Sequence, residues 1–120
     1  MEYDALNAEL IARIPETFGG YAELRAMWDG DEPGPHVVYG DVLVPFAIAQ
    51  LGHGRSAAST ELFDLLEDMA LSPDQRIRDV LGASVLEALL SEPQLWALAK
   101  ELMGAATLEL AELIEDELRR

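Results

Sequence analysis

Leucine occurs 20 times in this 120-residue chain and alanine 17 times, against 14 for valine, isoleucine and threonine together. That imbalance constrains the fold more than any other feature. Alanine and unbranched side chains lose little rotamer freedom in a helix, whereas β-branched residues lose it and favour strands. The apolar residues also recur at steps of three and four. Tyr3, Leu6, Leu10 and Ile14 form one stripe, and Phe18, Tyr21, Leu24 and Trp28 form the next. The expected fold is all-α: a compact bundle of about seven short helices, for which HEAT-like antiparallel helix pairs are one arrangement. A chain of this length buries roughly two thirds of its unfolded surface, so residues 1–120 read as a single helical domain.

The punctuation supports the periodicity. Pro15 separates the first two stripes, and Gly19-Gly20 weakens the second, since each glycine costs about 1 kcal/mol within a helix. Residues 29–35 (DGDEPGP) form a loop. Residues 36–41 read as either extended or helical. On the preferred helical reading Asp41 caps a helix that runs to Leu51 and ends at Gly52-His53-Gly54. The most apolar window, residues 42–51, belongs to the core and is too short to cross a bilayer. Residues 57–70 carry Leu62, Phe63, Leu65, Leu66 and Met69. Ser72-Pro73-Asp74-Gln75 predicts a serine-capped start with proline in the first turn, and Ser91-Glu92-Pro93-Gln94 repeats it. Gly104 predicts a stop. Thr107 is the expected cap of a last helix with Leu110, Leu113, Ile114 and Leu118 on its buried side.

Charge narrows the function. Acidic residues number 23 and basic residues 8, for a net charge of −15. The excess is spread: residues 1–60 carry nine acids and three bases, and residues 61–120 carry fourteen and five. Such a field repels nucleic-acid phosphates and anionic lipid, so neither is an expected partner. The chain has no cysteine, which excludes disulfides, thiolate metal sites and a cysteine nucleophile. The start Met1-Glu2-Tyr3-Asp4 lacks the basic and apolar regions of a secretory signal, and the expected location is cytoplasmic.

Catalytic patterns are missing. Neither G-x-S-x-G, G-x-x-x-x-G-K nor G-x-G-x-x-G occurs, so the expectation is a protein that is not an enzyme. His36 and His53 are 17 positions apart with Asp41 between them, unlike the tight spacing of zinc ligands. Asp29-Gly30-Asp31-Glu32 matches the start of a calcium loop for four residues and then lacks the later ligands. No metal and no cofactor are expected. Trp28 and Trp96 fall on apolar stripes and are assigned to the core.

The acidic clusters are the informative polar feature. Asp29, Asp31 and Glu32 crowd one loop. Asp64, Glu67 and Asp68 follow one helix, and Glu109, Glu112, Glu115, Asp116 and Glu117 crowd the last. Solvated helix faces usually mix acids with lysine, yet Lys100 is the only lysine. Repulsion between acids one turn apart costs a few tenths of a kcal/mol per pair, and a basic protein partner would relieve it. Asp29, Asp31, Glu32, Asp64, Glu67 and Asp68 are the expected partner-binding residues.

Residues 35–43 (PHVVYGDVL), 62–70 (LFDLLEDMA) and 85–89 (VLEAL) resemble a bacterial helical family known as a domain of unknown function. Small acidic helical proteins of this kind resemble the immunity proteins of polymorphic toxin systems. The resemblance spans about residues 5 to 115. It implies a helical fold and an intracellular binding role, and it brings no catalytic residues. The expected function is neutralisation of a cognate toxin by covering its active site. The alternative is a non-catalytic structural or regulatory adaptor for another cytoplasmic protein. Self-association through the apolar side of residues 108–118 is a further arrangement the pattern allows.

Overall fold

The computed structural model describes residues 1–119. Seven helical stretches follow one another through short links, and no strand occurs among the described residues. The first, α1, joins a 3-10 turn at Tyr3–Ala5 to Leu6–Arg13. The second, α2, joins a 3-10 turn at Pro15–Thr17 to Phe18–Met27. Helix α3 runs without a break through Pro35–Val38, Tyr39–Leu43 and Val44–His53. Ala57–Ala70 is α4. Helix α5 runs through Gln75–Asp79, Val80–Leu86 and Glu87–Leu90. Pro93–Leu102 is α6 and Ala105–Leu118 is α7. The middle segments of α3 and α5 are π turns.

The all-α bundle expected from the leucine spacing is the architecture observed. Helix α5 is its axis. Its π turn contacts α3, α4 and α7, and its last turn contacts α3 and α6. Val80, Leu81, Val85 and Leu86 are accordingly buried. A helix covered on several sides must be apolar around most of its circumference, and residues 80–86 (VLGASVL) satisfy that. The two π turns pack against each other. Tyr39, fully buried at the start of the α3 turn, donates its hydroxyl to the Leu6 carbonyl at 2.7 Å and ties α3 to α1. Burial pushes the Tyr39 pKa up, so the phenol stays protonated and remains a donor.

Several helix starts differ from expectation. Residues 36–41 are helical, but the helix begins at Pro35, not after Asp41. The proline fixes φ in the first turn, and the amides of Val37 and Val38 donate to the Gly34 carbonyl at 3.1 Å. Asp41 lies exposed inside the π turn and caps nothing. Helix α5 starts two residues later than expected, because Asp74 takes the cap and accepts from the Arg76 amide at 2.9 Å. Ser72 serves instead as a brace, accepting from the Asp74 amide at 3.1 Å. Pro93 does open α6, but Ser91 closes the helix before it by donating to the Ala88 carbonyl at 2.6 Å. Sequence spacing places a start to within a turn; competition among neighbouring polar side chains decides the rest.

The last helix departs most. Gly104, not Thr107, sits at its N-cap, and Thr107 is buried inside the first turn. The cap comes from α4. Glu67 accepts from the amides of Ala106 at 3.0 Å and Thr107 at 2.9 Å, and from the Thr107 hydroxyl at 2.8 Å. Leu113 and Leu118, expected on the buried side, are 60% and 58% exposed, while Ala111 and Thr107 face the core. The contacts of α7 run along α4 and the π turn of α5; burying the small residues there brings the helices close and leaves the larger leucines outside.

Trp96 is buried as expected and donates its ring N–H to Glu115 at 3.2 Å. Trp28 is not in the core: it follows the last residue of α2 and is 42% exposed. Helix α2 is peripheral, touching the α3 π turn, and of its residues Thr17, Tyr21 and Leu24 are buried. Phe18 and Met27 are exposed with Trp28. Gly20 has a packing reason, since a Cβ there would lie 3.3 Å from the Val42 side chain.

Candidate protein-binding surface

The six acids singled out in the sequence divide into two chemically distinct sets. Glu32, Glu67 and Asp68 are engaged within the fold. Glu32 accepts from the Asn7 side-chain amide at 2.9 Å and from the Tyr21 hydroxyl at 2.6 Å, with Arg25 3.6 Å away. Asn7 also donates to the Pro33 carbonyl at 2.8 Å, so α1, α2 and the loop are joined at one point. The Tyr21 and Asn7 hydrogen bonds hold the Glu32 carboxyl below its ordinary pKa. Asp68 accepts from Arg13 at 2.6 Å, and Glu61 accepts from the same guanidinium at 2.7 Å. Glu9 lies 3.8 Å away on the same arginine, so Arg13 fastens α1 to α4. Burial opposes the Arg13 charge, but the bonds to Glu61 and Asp68 outweigh it and raise its pKa. Glu67 is the cap already described.

Asp29, Asp31 and Asp64 stand in solvent with no hydrogen bond or ion pair from their side chains among the described residues. Asp64 projects from α4. Asp29 and Asp31 belong to the turn that ends α2, and that turn is tightly specified. The Gly30 amide donates to the Arg25 carbonyl at 2.8 Å and the Asp29 amide to the Ala26 carbonyl at 3.2 Å. These are the two bonds of a Schellman motif, with Asp29 at the left-handed position. Its φ is 54°, and it is the only non-glycine residue with positive φ among the described residues. The Arg25 guanidinium closes the turn by donating to the Gly30 carbonyl at 3.0 Å. The turn thus holds Trp28 and Met27, both exposed, beside the Asp29 and Asp31 carboxylates.

Sequence spacing missed the exposure of Trp28 and Met27 and the left-handed Asp29. The available signal was the Asp-Gly pair after a helical stripe, because that is where a left-handed helix end falls. Another polar feature is His36 in the first turn of α3, whose Nδ1 is 2.7 Å from the hydroxyl oxygen of Ser84 in the α5 π turn. His36 and His53 occupy opposite ends of α3, roughly 26 Å apart at 1.5 Å per residue, too far to share a metal ion.

The cap makes one pH dependence explicit. Partial burial works to raise the Glu67 pKa, but the bonds from Thr107 and Ala106 outweigh it and hold the carboxyl below the ordinary glutamate range. A lowered native pKa adds stability that is present above the unfolded value of about 4.3 and lost as pH falls through the native one. The melting temperature of the wild type should exceed that of Glu67→Gln at pH 7, and the gap should narrow as pH falls below about 4.3. A gap that stays constant to pH 3 would show that the carboxylate charge contributes nothing.

None of the described helices is long and apolar enough to cross a membrane. No curated protein and no solved structure matches the chain. A family profile matches residues 7–118, nearly the whole length, including all three segments that carry the resemblance noted in the sequence. The chain belongs to the family described as Domain of unknown function (DUF7674).

Proposed function

We propose that this protein is a stoichiometric binding module of the bacterial cytoplasm, an immunity protein that covers the active site of a cognate toxin. One observation carries the reading. Asp29 occupies a left-handed position that glycine enters without steric cost, whereas an L-residue costs up to about 1–2 kcal/mol, with Asp and Asn at the low end. The carboxylate forms no bond that would explain its retention. Strain kept at an exposed position is the mark of a site selected for contact rather than for stability. Beside it lies Trp28, the residue type most enriched among interface anchors. The −15 charge supports the same reading: toxins that act on nucleic acid or nucleotides have basic clefts, and an acidic module approaches them under electrostatic attraction. Asp31 adds charge to the same turn, and Asp64 is a second free carboxylate, on α4. Glu32, Glu67 and Asp68 complete the proposed binding set and also hold elements of the fold in place.

The test is co-expression with the toxin encoded beside the gene. The wild type should restore growth. Asp29→Gly should raise folding stability by as much as about 1 kcal/mol while weakening capture of the toxin, and Trp28→Ala should abolish protection without unfolding the chain. Toxin affinity should fall steeply between low and high ionic strength. Undiminished killing beside the wild-type protein, or full protection by both variants, would reject the proposal.

A further inference from the structure

A second surface lies on the opposite chain half and shares no residue with the α2 turn. A groove of about 440 Å³ runs between α5 and α7. Leu110, Ile114 and Leu118 of α7 form one apolar wall, and Gly82 and Ala83 of the α5 π turn form the other. Gly82 packs against Ile114: a Cβ there would lie 3.4 Å from its terminal methyl group, at van der Waals contact. Leu113 continues the apolar ridge on the outer side of α7. Leu110, Leu113, Ile114 and Leu118 follow helical spacing, yet two of the four are more than half exposed.

The rim is acidic. Asp79, Glu87 and Glu117 border the groove, and Glu109, Glu112 and Asp116 border the far side of Leu113. None of these six forms an ion pair among the described residues. One cation also lines the groove: Arg78, which donates to the Ser72 carbonyl and to Gln75, keeps its charge there against the three carboxylates of Asp79, Glu87 and Glu117, while Arg119 is paired with Glu115. An apolar trough with an anionic border is complementary to an amphipathic helix whose apolar stripe is flanked by lysine or arginine. Charge argues against a second copy of this chain as occupant. A two-fold interface places the same patch on both sides, so Glu109, Glu112, Asp116 and Glu117 would meet their own equivalents.

We infer that the α5–α7 groove docks a cationic amphipathic helix of a protein partner, about four turns long to match the 14 residues of α7. The inference rests on the reading of this protein as a binding module but not on the α2 turn. The probe is a 14-residue synthetic helix with leucine at i, i+4, i+7 and i+11 and lysine elsewhere, titrated into the full chain at 150 mM salt by fluorescence anisotropy. A peptide of identical composition in scrambled order keeps the charge and removes the stripe. The ordered peptide should bind at least tenfold tighter than the scrambled one. The double variant Leu113→Ser/Leu118→Ser, which alters only exposed side chains, should weaken binding at least tenfold, and Glu117→Lys severalfold. Asp29→Gly should bind the peptide like the wild type. That variant separates the two surfaces: peptide binding retained with toxin protection lost leaves the groove standing, and the reverse removes it alone. Equal affinity for both peptides, no effect of the double variant, or a dimer that Leu118→Ser dissolves would overturn the inference.

Discussion

Glu67→Ala is expected to cost about 2–3 kcal/mol, the combined loss of a helix cap and of the partner of a buried hydroxyl. The glutamate reaches from α4 to the first turn of α7 and satisfies two amides that have no acceptor within their own helix. It also accepts from the Thr107 hydroxyl, which is fully buried and has no solvent to turn to. Its negative charge sits where the helix dipole favours it. At roughly 4 °C per kcal/mol for a domain of this size, the melting temperature should drop by about 8–12 °C. Gly104 supplies a sharper test. Its backbone, at φ −71° and ψ 171°, is open to any residue. A Cβ there, however, would lie 2.5 Å from the Glu67 carboxyl carbon and 2.6 Å from its Oε1. Gly104→Ala should therefore displace the carboxylate and reproduce much of the Glu67→Ala loss, about 1–2 kcal/mol. In the double variant the alanine should add almost nothing, because the group it displaces is gone. Additive losses in denaturant titrations would show that the glycine serves the backbone and not the cap.

Tyr39→Ala should be the most damaging single change of those considered, at about 3–5 kcal/mol for a large aromatic removed from a closed core. That is a substantial part of the roughly 6–18 kcal/mol that a domain of this length possesses. Tyr39 is fully buried where the two π turns meet, and its hydroxyl reaches α1. Tyr39→Phe keeps the ring and removes only that bond, so it should cost about 1 kcal/mol. Urea midpoints of the three proteins separate the packing contribution from the hydrogen bond. A phenylalanine variant as unstable as the alanine one would place the whole effect in the bond to Leu6.

These two residues mark where the sequence was readable. Apolar spacing and cap signals together located the seven helices to within a turn or two, and residues 57–70 carried both the boundaries and the buried face of α4. Spacing reports what neighbours what along one helix; it is blind to what a side chain meets on another. Glu67 therefore read as one acid in a surface run, and Gly104 read as a stop signal, although each is explained by the other. Tyr39 lay in the stretch that fitted both a strand and a helix, because a π turn breaks the three-and-four rhythm on which the reading depends. Trp28 fitted its stripe and still faces solvent, since α2 lies at the periphery. Of the acidic surface, the clusters were visible in the sequence but the division into engaged and free carboxylates was not. That division depends on where Arg13, Asn7 and Tyr21 arrive from other helices.

The π turns change what one helix can do. An extra residue in a turn rotates everything after it by about 100° relative to an unbroken α-helix. Helix α3 uses that rotation: its first segment lies against α1 and the α5 π turn, and its last against α4, α6 and the last turn of α5. One uninterrupted rod thereby presents two differently aimed apolar stripes to two sets of neighbours. Elsewhere a change of aim requires a break and a connecting loop, with exposed peptide bonds for a protease to find. Here the middle of the longest helix offers no such opening, and limited proteolysis should cut at the short links at its ends rather than within it.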